Sequence, residues 1–304
     1  MERVRNVRLS DDVSRALAED EPVVALESTV FSTLGLPKPA NADALERCTS
    51  TIEENGAVAA VTAVIDGELR LGITESEWGD ILNCKTKVAS RDLPIASAEG
   101  IRVGATTVSA SLAIAEAAGV KVFCTGGIGG VHHGYQETGD LSADLYALAR
   151  HRVVCISAGA KVFLDLRRTM EVLESLGVPV LGWKTDNFPA FYIRNSKLPI
   201  TQVNNAETVV KVFRNASALG LPQGVLVGVP IPKEHQLDPE STWSLIDDTL
   251  AEAKKFGISG PGVTPFILEA LAKSTKGESV PANLALLENN ARAAVEIAKQ
   301  FQQE

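Results

Sequence analysis

The sequence predicts an α/β protein, a three-layer α/β/α sandwich with a mostly parallel central sheet and a helical C-terminal part. Short apolar runs alternate with segments of helical periodicity, the pattern of strand–helix–strand units. Two of these runs end in loops of small residues, as strands do where an open sheet presents its carboxyl edge. From Pro239 onward the strand pattern stops and helical segments take over.

The elements follow in order. PVVAL (22–26) reads as a strand, and Asn41 can cap a helix that runs to Asn55 and stops at Gly56. AVAAVTAVI (57–65) is a strand, and Asp66-Gly67 turns it as a hairpin into ELRLG. Thr74 with Glu77 forms a capping box for a short helix. Thr107 to Ala118 is helical and ends at Gly119, and VKVFC (120–124) is the next strand. Leu141–Arg150 is a helix, VVCIS (153–157) a strand, Val162–Leu176 a helix and PVLGW (179–183) a strand. GVLVGV (224–229) is a further strand, followed by Pro230 and Pro232. Pro239 and Pro265 fit first helical turns after Asp238 and Thr264, and Gly257 and Gly277 close those two helices. A last amphipathic helix spans Ala282 to Gln302. There is no internal repeat, low-complexity tract or evident linker, so a single domain over 1–304 is expected.

Composition narrows the function classes. Of 304 residues, 45% are hydrophobic and 22% charged, ordinary for a globular chain. The 29 basic and 38 acidic residues give a net charge of −9 with no basic run, which speaks against a nucleic-acid polymer as partner. Cys48, Cys84, Cys124 and Cys155 lack metal-site spacing and read as buried free thiols in a reducing compartment. No apolar run approaches the ~18 residues of a membrane span, and the N-terminal MERVRNVRLSDDV has no apolar signal core. A cytoplasmic location is expected.

The chemistry concentrates in VFCTGGIGGVHHGYQETGDLSADL (122–145) and VVCISAGAKVFLDL (153–166). Both stretches end strands, so both loops point at one crevice. Lys161 is either a solvated surface lysine or a nucleophile; as the first residue of a helix it would face the positive dipole end, which favours the uncharged amine that an imine needs. Asp140 and Asp144 share one helix face. They read either as N-cap and first-turn acid or as ligands of a hard divalent cation with water completing the shell. Gly126-Gly127-Ile128-Gly129-Gly130 is not a dinucleotide fingerprint, and reads either as a flexible turn or as a place of close backbone approach to a ligand. His132 binds a ligand or satisfies a loop carbonyl. Glu27 ends the first strand as a capping acid or a general acid/base. Lys87 alone reads as a surface residue, and Ala105-Thr106-Thr107 could offer donors to an anion.

Taken together, VALESTV, SRDLP, GATTVSA, TGGIGGVHHG, DLSADL, SAGAK, LGVPVLGW, FPAFY and NLALLENNA resemble the pseudouridine-5′-phosphate glycosidases, the family also named after the indigoidine synthase A protein. The resemblance covers nearly the whole chain. It implies reversible cleavage of the C1′–C5 carbon–carbon bond of pseudouridine 5′-phosphate, a lyase-type reaction giving uracil and ribose 5-phosphate. It implies a divalent metal, manganese, and a homotrimer. The family's catalytic lysine falls on Lys161, its proton-transferring glutamate on Glu27 and its metal aspartate on Asp140. Substrate contacts fall on Lys87, Val108, Thr125, His132, Ser142, Ala143, Asp144 and Asn283.

Such a bond has no leaving oxygen to protonate, so the paired carboxylates of ordinary glycosidases do not serve. A lysine imine with the ring-opened ribose supplies the electron sink instead. The chain departs from the family pattern in two places. VFSTLGLP lacks the usual histidine after EST, and His133 stands where an arginine is usual, changes that bear on phosphate binding and substrate preference. Competing readings are a lysine-imine lyase on another sugar phosphate, a phosphatase on a nucleotide or sugar phosphate, and a non-catalytic nucleotide sensor.

Overall fold

In the computed structural model, which describes residues 7–258, 263–275 and 277–303, the chain opens with strand β1 (Val7–Leu9) and helix α1 (Asp11–Ala18). The first six residues of the N-terminal segment discussed above lie outside the described residues. Ser10 caps α1 by accepting from the Val13 N–H at 3.3 Å. Strand β2 (Val23–Leu26) follows, then helix α2 (Ala40–Glu54), strand β3 (Val58–Ile65) and strand β4 (Glu68–Leu71). Asn41 does not cap α2. It lies inside the first turn, buried, and its amide donates to the Phe31 and Leu82 carbonyls at 3.1 and 3.0 Å. The Asp66-Gly67 hairpin is as expected, both residues having positive φ (49° and 76°).

Helix α3 (Glu75–Leu82) begins at the expected Thr74, whose N–H donates to the Glu77 carboxylate at 2.8 Å. Strand β5 (Lys87–Val88), helix α4 (Leu93–Ala98), strand β6 (Val103–Thr106) and helix α5 (Val108–Ala118) come next, with Gly119 left-handed at the end of α5. Strand β7 (Val122–Cys124) leads into the glycine loop, a short helix α6 (Tyr135–Thr138) and helix α7 (Ala143–Arg150). Strand β8 (Val154–Ser157), helix α8 (Leu166–Ser175), strands β9 (Val180–Trp183) and β10 (Thr201–Val203), helix α9 (Ala206–Ala218) and strand β11 (Val225–Gly228) complete the alternation. Helices α10 (Pro239–Lys255), α11 (Val263–Ser274) and α12 (Ser279–Gln302) form the helical C-terminal part. Pro239 occupies the first position of α10, where its missing N–H costs nothing, and Asp238 caps that helix.

The described strands form an eleven-stranded sheet in the order β1-β4-β3-β2-β7-β8-β11-β9-β10, with β6 on β3 and β5 on β6. From β3 through β2, β7, β8, β11 and β9 to β10 every pairing is parallel. The outer half of β3 instead pairs antiparallel with β4 and β6. β2, β8 and β11 are buried along their whole length, as parallel strands covered on both faces must be. α12 packs on β2, β7 and β8 beside α2 and α9, while α5, with α7 alongside, covers the opposite face. All four cysteines are buried free thiols. Among the described residues no helix is long and apolar enough to cross a membrane.

Candidate active site

The loops after β7 and β8 do more than point at one crevice: they are zipped together beyond their strands. Ala158 N–H donates to the Gly126 carbonyl at 2.8 Å, Ile128 N–H to Gly159 at 3.0 Å, Lys161 N–H to Ile128 at 3.2 Å and Asp165 N–H to Val131 at 2.9 Å. The parallel register of β7 and β8 thus continues to Lys161 and fixes its Cα against the glycine loop. Lys161 does not open a helix. Its carbonyl accepts from Leu164 N–H at 3.0 Å in a turn, and α8 starts only at Leu166, capped by the Asp165 carboxylate. Lys161 therefore faces no helix dipole; it sits half-buried on a zipped loop.

The glycines of this loop are there for close approach rather than for unusual φ, which none of Gly126, Gly127, Gly129 and Gly130 has. A Cβ on Gly127 would sit 2.5 Å from a ring carbon of Phe191, and Gly129 and Gly130 are covered by Ser142 and Thr169. Gly159 is different. Its φ of 78° is left-handed, and the Pro189 carbonyl occupies the space of a side chain. The FPAFY segment is pressed onto both loops in this way, with Phe191 N–H donating to the Ala158 carbonyl at 2.8 Å.

Glu27 directly follows β2, as expected, and is only 6% exposed. Its carboxylate accepts from the Thr125 hydroxyl. Burial raises its pKa to about 7, with Lys161, the Thr125 hydrogen bond and Lys87 pulling it down and Asp144 pushing it up. Glu27, Lys161, Lys87, Thr125 and Asp144 are thus neighbours, brought together from three strand ends, the short strand β5 and the start of α7.

His132 and Asp140 face each other across the mouth, Nδ1 to Oδ2 at 3.9 Å. Burial lowers the His132 pKa; Asp140 opposes this, and Lys161, His133 and Lys87 reinforce it. Asp140 does not cap α7. Ser142 does, accepting from Asp144 N–H at 3.2 Å, while the Asp140 N–H is held by the Thr138 hydroxyl at 3.1 Å and its carbonyl by His132 N–H. That leaves the Asp140 carboxylate facing the mouth, partly exposed. Among the described residues no cluster of three or more His, Cys, Asp or Glu could hold a metal. One carboxylate with water access suits a hard cation that keeps most of its water, not a dehydrated protein cage.

The remaining candidates divide. Val108 is buried at the first position of α5. Ala143 opens α7, and both Ser142 and Asp144 have their side chains engaged by protein backbone. Asn283 lies on α12 and donates to the Tyr192 hydroxyl at 3.3 Å. Leu286, Leu287 and Asn290 lie on the same helical stripe as Asn283. The two leucines line the space over Gly126, and Asn290 donates to the Thr125 and Gly126 carbonyls at 2.9 and 3.3 Å. Asn290 escaped the sequence reading, although an amide inside an apolar helix stripe is a signal. So did the buried hydroxyl cluster behind Glu27. Thr106 N–H donates to Ser28 Oγ at 2.8 Å, and Thr62 Oγ1 lies 2.8 and 2.7 Å from the Thr106 and Ser111 hydroxyls.

A sequence profile of the indigoidine synthase A-like proteins matches residues 12–300. A pseudouridine-5′-phosphate glycosidase of Caldanaerobacter subterraneus is 45% identical over 300 residues, covering 98% of this chain and 97% of that protein. One of Myxococcus xanthus is 46% identical over 297 residues, 96% of this chain and 97% of the relative. Among solved structures, the prealnumycin C-glycosynthase AlnA in complex with ribulose 5-phosphate superimposes with a TM-score of 0.91 at 34% identity, covering 98% of this chain and 97% of that one. An indigoidine synthase A-like protein from Thermotoga maritima gives 0.87 at 33%, covering 97% and 96%.

Proposed function

The chain belongs to the indigoidine synthase A-like family and is an enzyme, and on that premise we propose that it reversibly cleaves the C1′–C5 bond of pseudouridine 5′-phosphate to uracil and ribose 5-phosphate. The observation that carries this reading is a buried carboxyl able to hold a proton near neutral pH, Glu27, beside Lys161 at the carboxyl edge of the sheet. Two carboxylates flanking a glycosidic oxygen would need both to be free, whereas here the second buried acid, Asp144, is engaged by backbone.

In this reading the Lys161 amine adds at C1′ as the C1′–O4′ bond opens, and the surplus proton on its nitrogen passes to O4′, leaving the sugar joined to the enzyme by a C–N bond with the nitrogen lone pair free. Glu27 protonates uracil C5. The C1′–C5 electron pair then returns to the uracil ring while the lysine nitrogen lone pair forms the C1′=N imine. Water hydrolyses the imine, releasing ribose 5-phosphate and restoring Lys161. Lys87 and His132, which line the same mouth, bind the anionic sugar, and Asn283 contacts the pyrimidine. Asp140 would hold a divalent cation, manganese, through one carboxylate and water; bound there, it would supply positive charge for phosphate. One domain over 1–304 and assembly as a cytoplasmic homotrimer belong to the same proposal.

The C-glycosynthase likeness favours a second reading, in which bond formation between a sugar phosphate and a carbon acceptor is the working direction. The same experiment addresses both. Incubation with pseudouridine 5′-phosphate should release uracil and no inorganic phosphate, and ribose 5-phosphate with uracil should rebuild the nucleotide. Phosphate release without uracil would refute the proposal.

A further inference from the structure

Asp144 stands in the first turn of α7, only 8% exposed, and both of its carboxylate oxygens are engaged by protein. Oδ1 accepts from the Ser109 N–H at 3.0 Å, and Oδ2 accepts from the Gly129 N–H at 2.9 Å. Ser109 lies in the first turn of α5 and Gly129 in the glycine loop, 35 and 15 positions before Asp144, so one carboxylate joins three separate elements. The fit at Gly129 is tight: a Cβ there would lie 2.9 Å from Asp144 Oδ2, besides meeting Ser142. A buried carboxylate is costly unless donors surround it, and here two N–H groups and the positive ends of α5 and α7 do so.

We propose that Asp144 is a positioning residue, whose carboxylate clamps the glycine loop to the start of α5 and so sets the width of the site without touching the substrate. The role rests on the C-glycosidase reading above. One consequence is that the Ser109 and Gly129 N–H groups, which an anion at the α5 terminus would otherwise use, are already occupied. A phosphate must therefore be bound by other groups at the mouth.

A second consequence concerns the proton on Glu27. The charged and polar groups facing Glu27 are Lys161, Lys87, Asp144 and the Thr125 hydroxyl; the two lysines and the hydroxyl lower its pKa, and Asp144 raises it. On β8 the Cys155 thiol is pushed up by burial first and then by the nearby Asp144 and Glu27 carboxylates. Asp144 therefore favours the protonated form of Glu27 through space while it holds the loop through hydrogen bonds.

The test is Asp144→Asn. The amide keeps one acceptor but points an N–H at an N–H on its other side. We expect kcat for uracil release to fall by about 10-fold or more with KM within about 3-fold. The alkaline limb of the kcat profile, where Glu27 loses its proton, should move to lower pH by roughly half a unit. Asp144→Glu keeps the charge but not the reach, so its kcat should fall with the limb unmoved. Hydrogen exchange without substrate should show faster exchange at Ser109 and Gly129 in either variant, with β11 unchanged; if the Asn variant does not fold, the Glu variant carries this measurement. A KM raised 10-fold or more with an unmoved limb in Asp144→Asn would make Asp144 a substrate contact and overturn the proposal. Unchanged exchange at both amides would overturn it equally. Failure of the wild type to release uracil would sink the reaction reading alone, since the exchange experiment still decides the clamp.

Discussion

The Thr125 hydroxyl donates to the Glu27 carboxylate across the junction of two adjacent parallel strands, joining residues 98 positions apart. This contact anchors the proposed proton donor from the side. Asn290 of α12 in turn fixes the Thr125 backbone by donating to its carbonyl at 2.9 Å. The hydrogen bond stabilises the ionised carboxylate, so it lowers the Glu27 pKa against the larger effect of burial. Thr125→Val keeps the shape and removes the donor. It should move the alkaline limb of kcat to higher pH, the opposite direction from Asp144→Asn, and reduce kcat by about 10-fold through a less constrained carboxyl. An unmoved limb in a pH–rate profile would show that this hydroxyl does not govern Glu27.

Glu27 should also be a stability liability at neutral and alkaline pH. Its pKa rises from 4.5 in the unfolded chain to about 7 in the fold. A raised carboxyl contributes stability below pH 4.5 that is lost as pH rises through about 7. The full linkage is about 3 kcal/mol by order of magnitude. Glu27→Gln removes the ionisation and should raise the melting temperature by several degrees at about pH 8, with little effect near pH 4.5. Uracil release should meanwhile drop by about 10²–10⁴-fold. Thermal scans at the two pH values check the first claim, and equal melting temperatures at about pH 8 would contradict it.

The strands around this pair were legible because they are short, apolar and bounded by turn residues; VVAL, VCIS and VLVG lie where the pattern puts them. Lys161, Glu27 and the glycine loop were legible as residues at strand ends. What could not be read was how the loops are used. Lys161 looked like a helix start because VFLDLRRTMEVLES is apolar at helical spacing, yet Asp165 offers a better cap and the preceding residues follow the β7 loop instead. Asp140 reads from the sequence as the cap of this helix, yet Ser142 takes that place, its N–H bound to the Gly130 carbonyl at 3.0 Å. The glycines suggested a ligand cradle, whereas their missing side chains make room for Phe191, Ser142 and Thr169, partners that only the tertiary fold supplies.

Metal dependence should follow the thin protein shell at Asp140. A single carboxylate with water ligands binds a hard cation weakly, so chelation by EDTA should abolish uracil release and added manganese should restore it. Asp140→Ala should raise the manganese concentration needed for half-maximal rate by about 10-fold or more. His132 is linked to this outcome, because Asp140 supports its protonated form against burial. Retained activity in EDTA together with an unchanged manganese response in Asp140→Ala would leave that carboxylate only as a partner of His132.

Lys161 should become covalently attached to the sugar during turnover. The zipped loops hold its backbone through the Ile128 carbonyl at 3.2 Å, so its position does not depend on substrate. The side chain reaches a mouth shared with Glu27, Lys87 and His132. An imine formed there is reducible, and borohydride added to the enzyme turning over pseudouridine 5′-phosphate should add one ring-opened ribose phosphate to the peptide containing Lys161. The adduct must lack uracil if the C1′–C5 bond breaks before hydrolysis, which mass spectrometry reads directly. Lys161→Ala should lose uracil release by roughly three orders of magnitude or more, as expected when a covalent step has no substitute nucleophile. Lys87 is the informative control. It shares the mouth but is an exposed residue of the short strand β5 rather than part of the zipped loops, so Lys87→Ala should raise KM and still give the Lys161 adduct. Uracil release at near wild-type rate in Lys161→Ala, or trapping on Lys87 instead, would overturn the lysine assignment while leaving the reaction itself to the uracil assay.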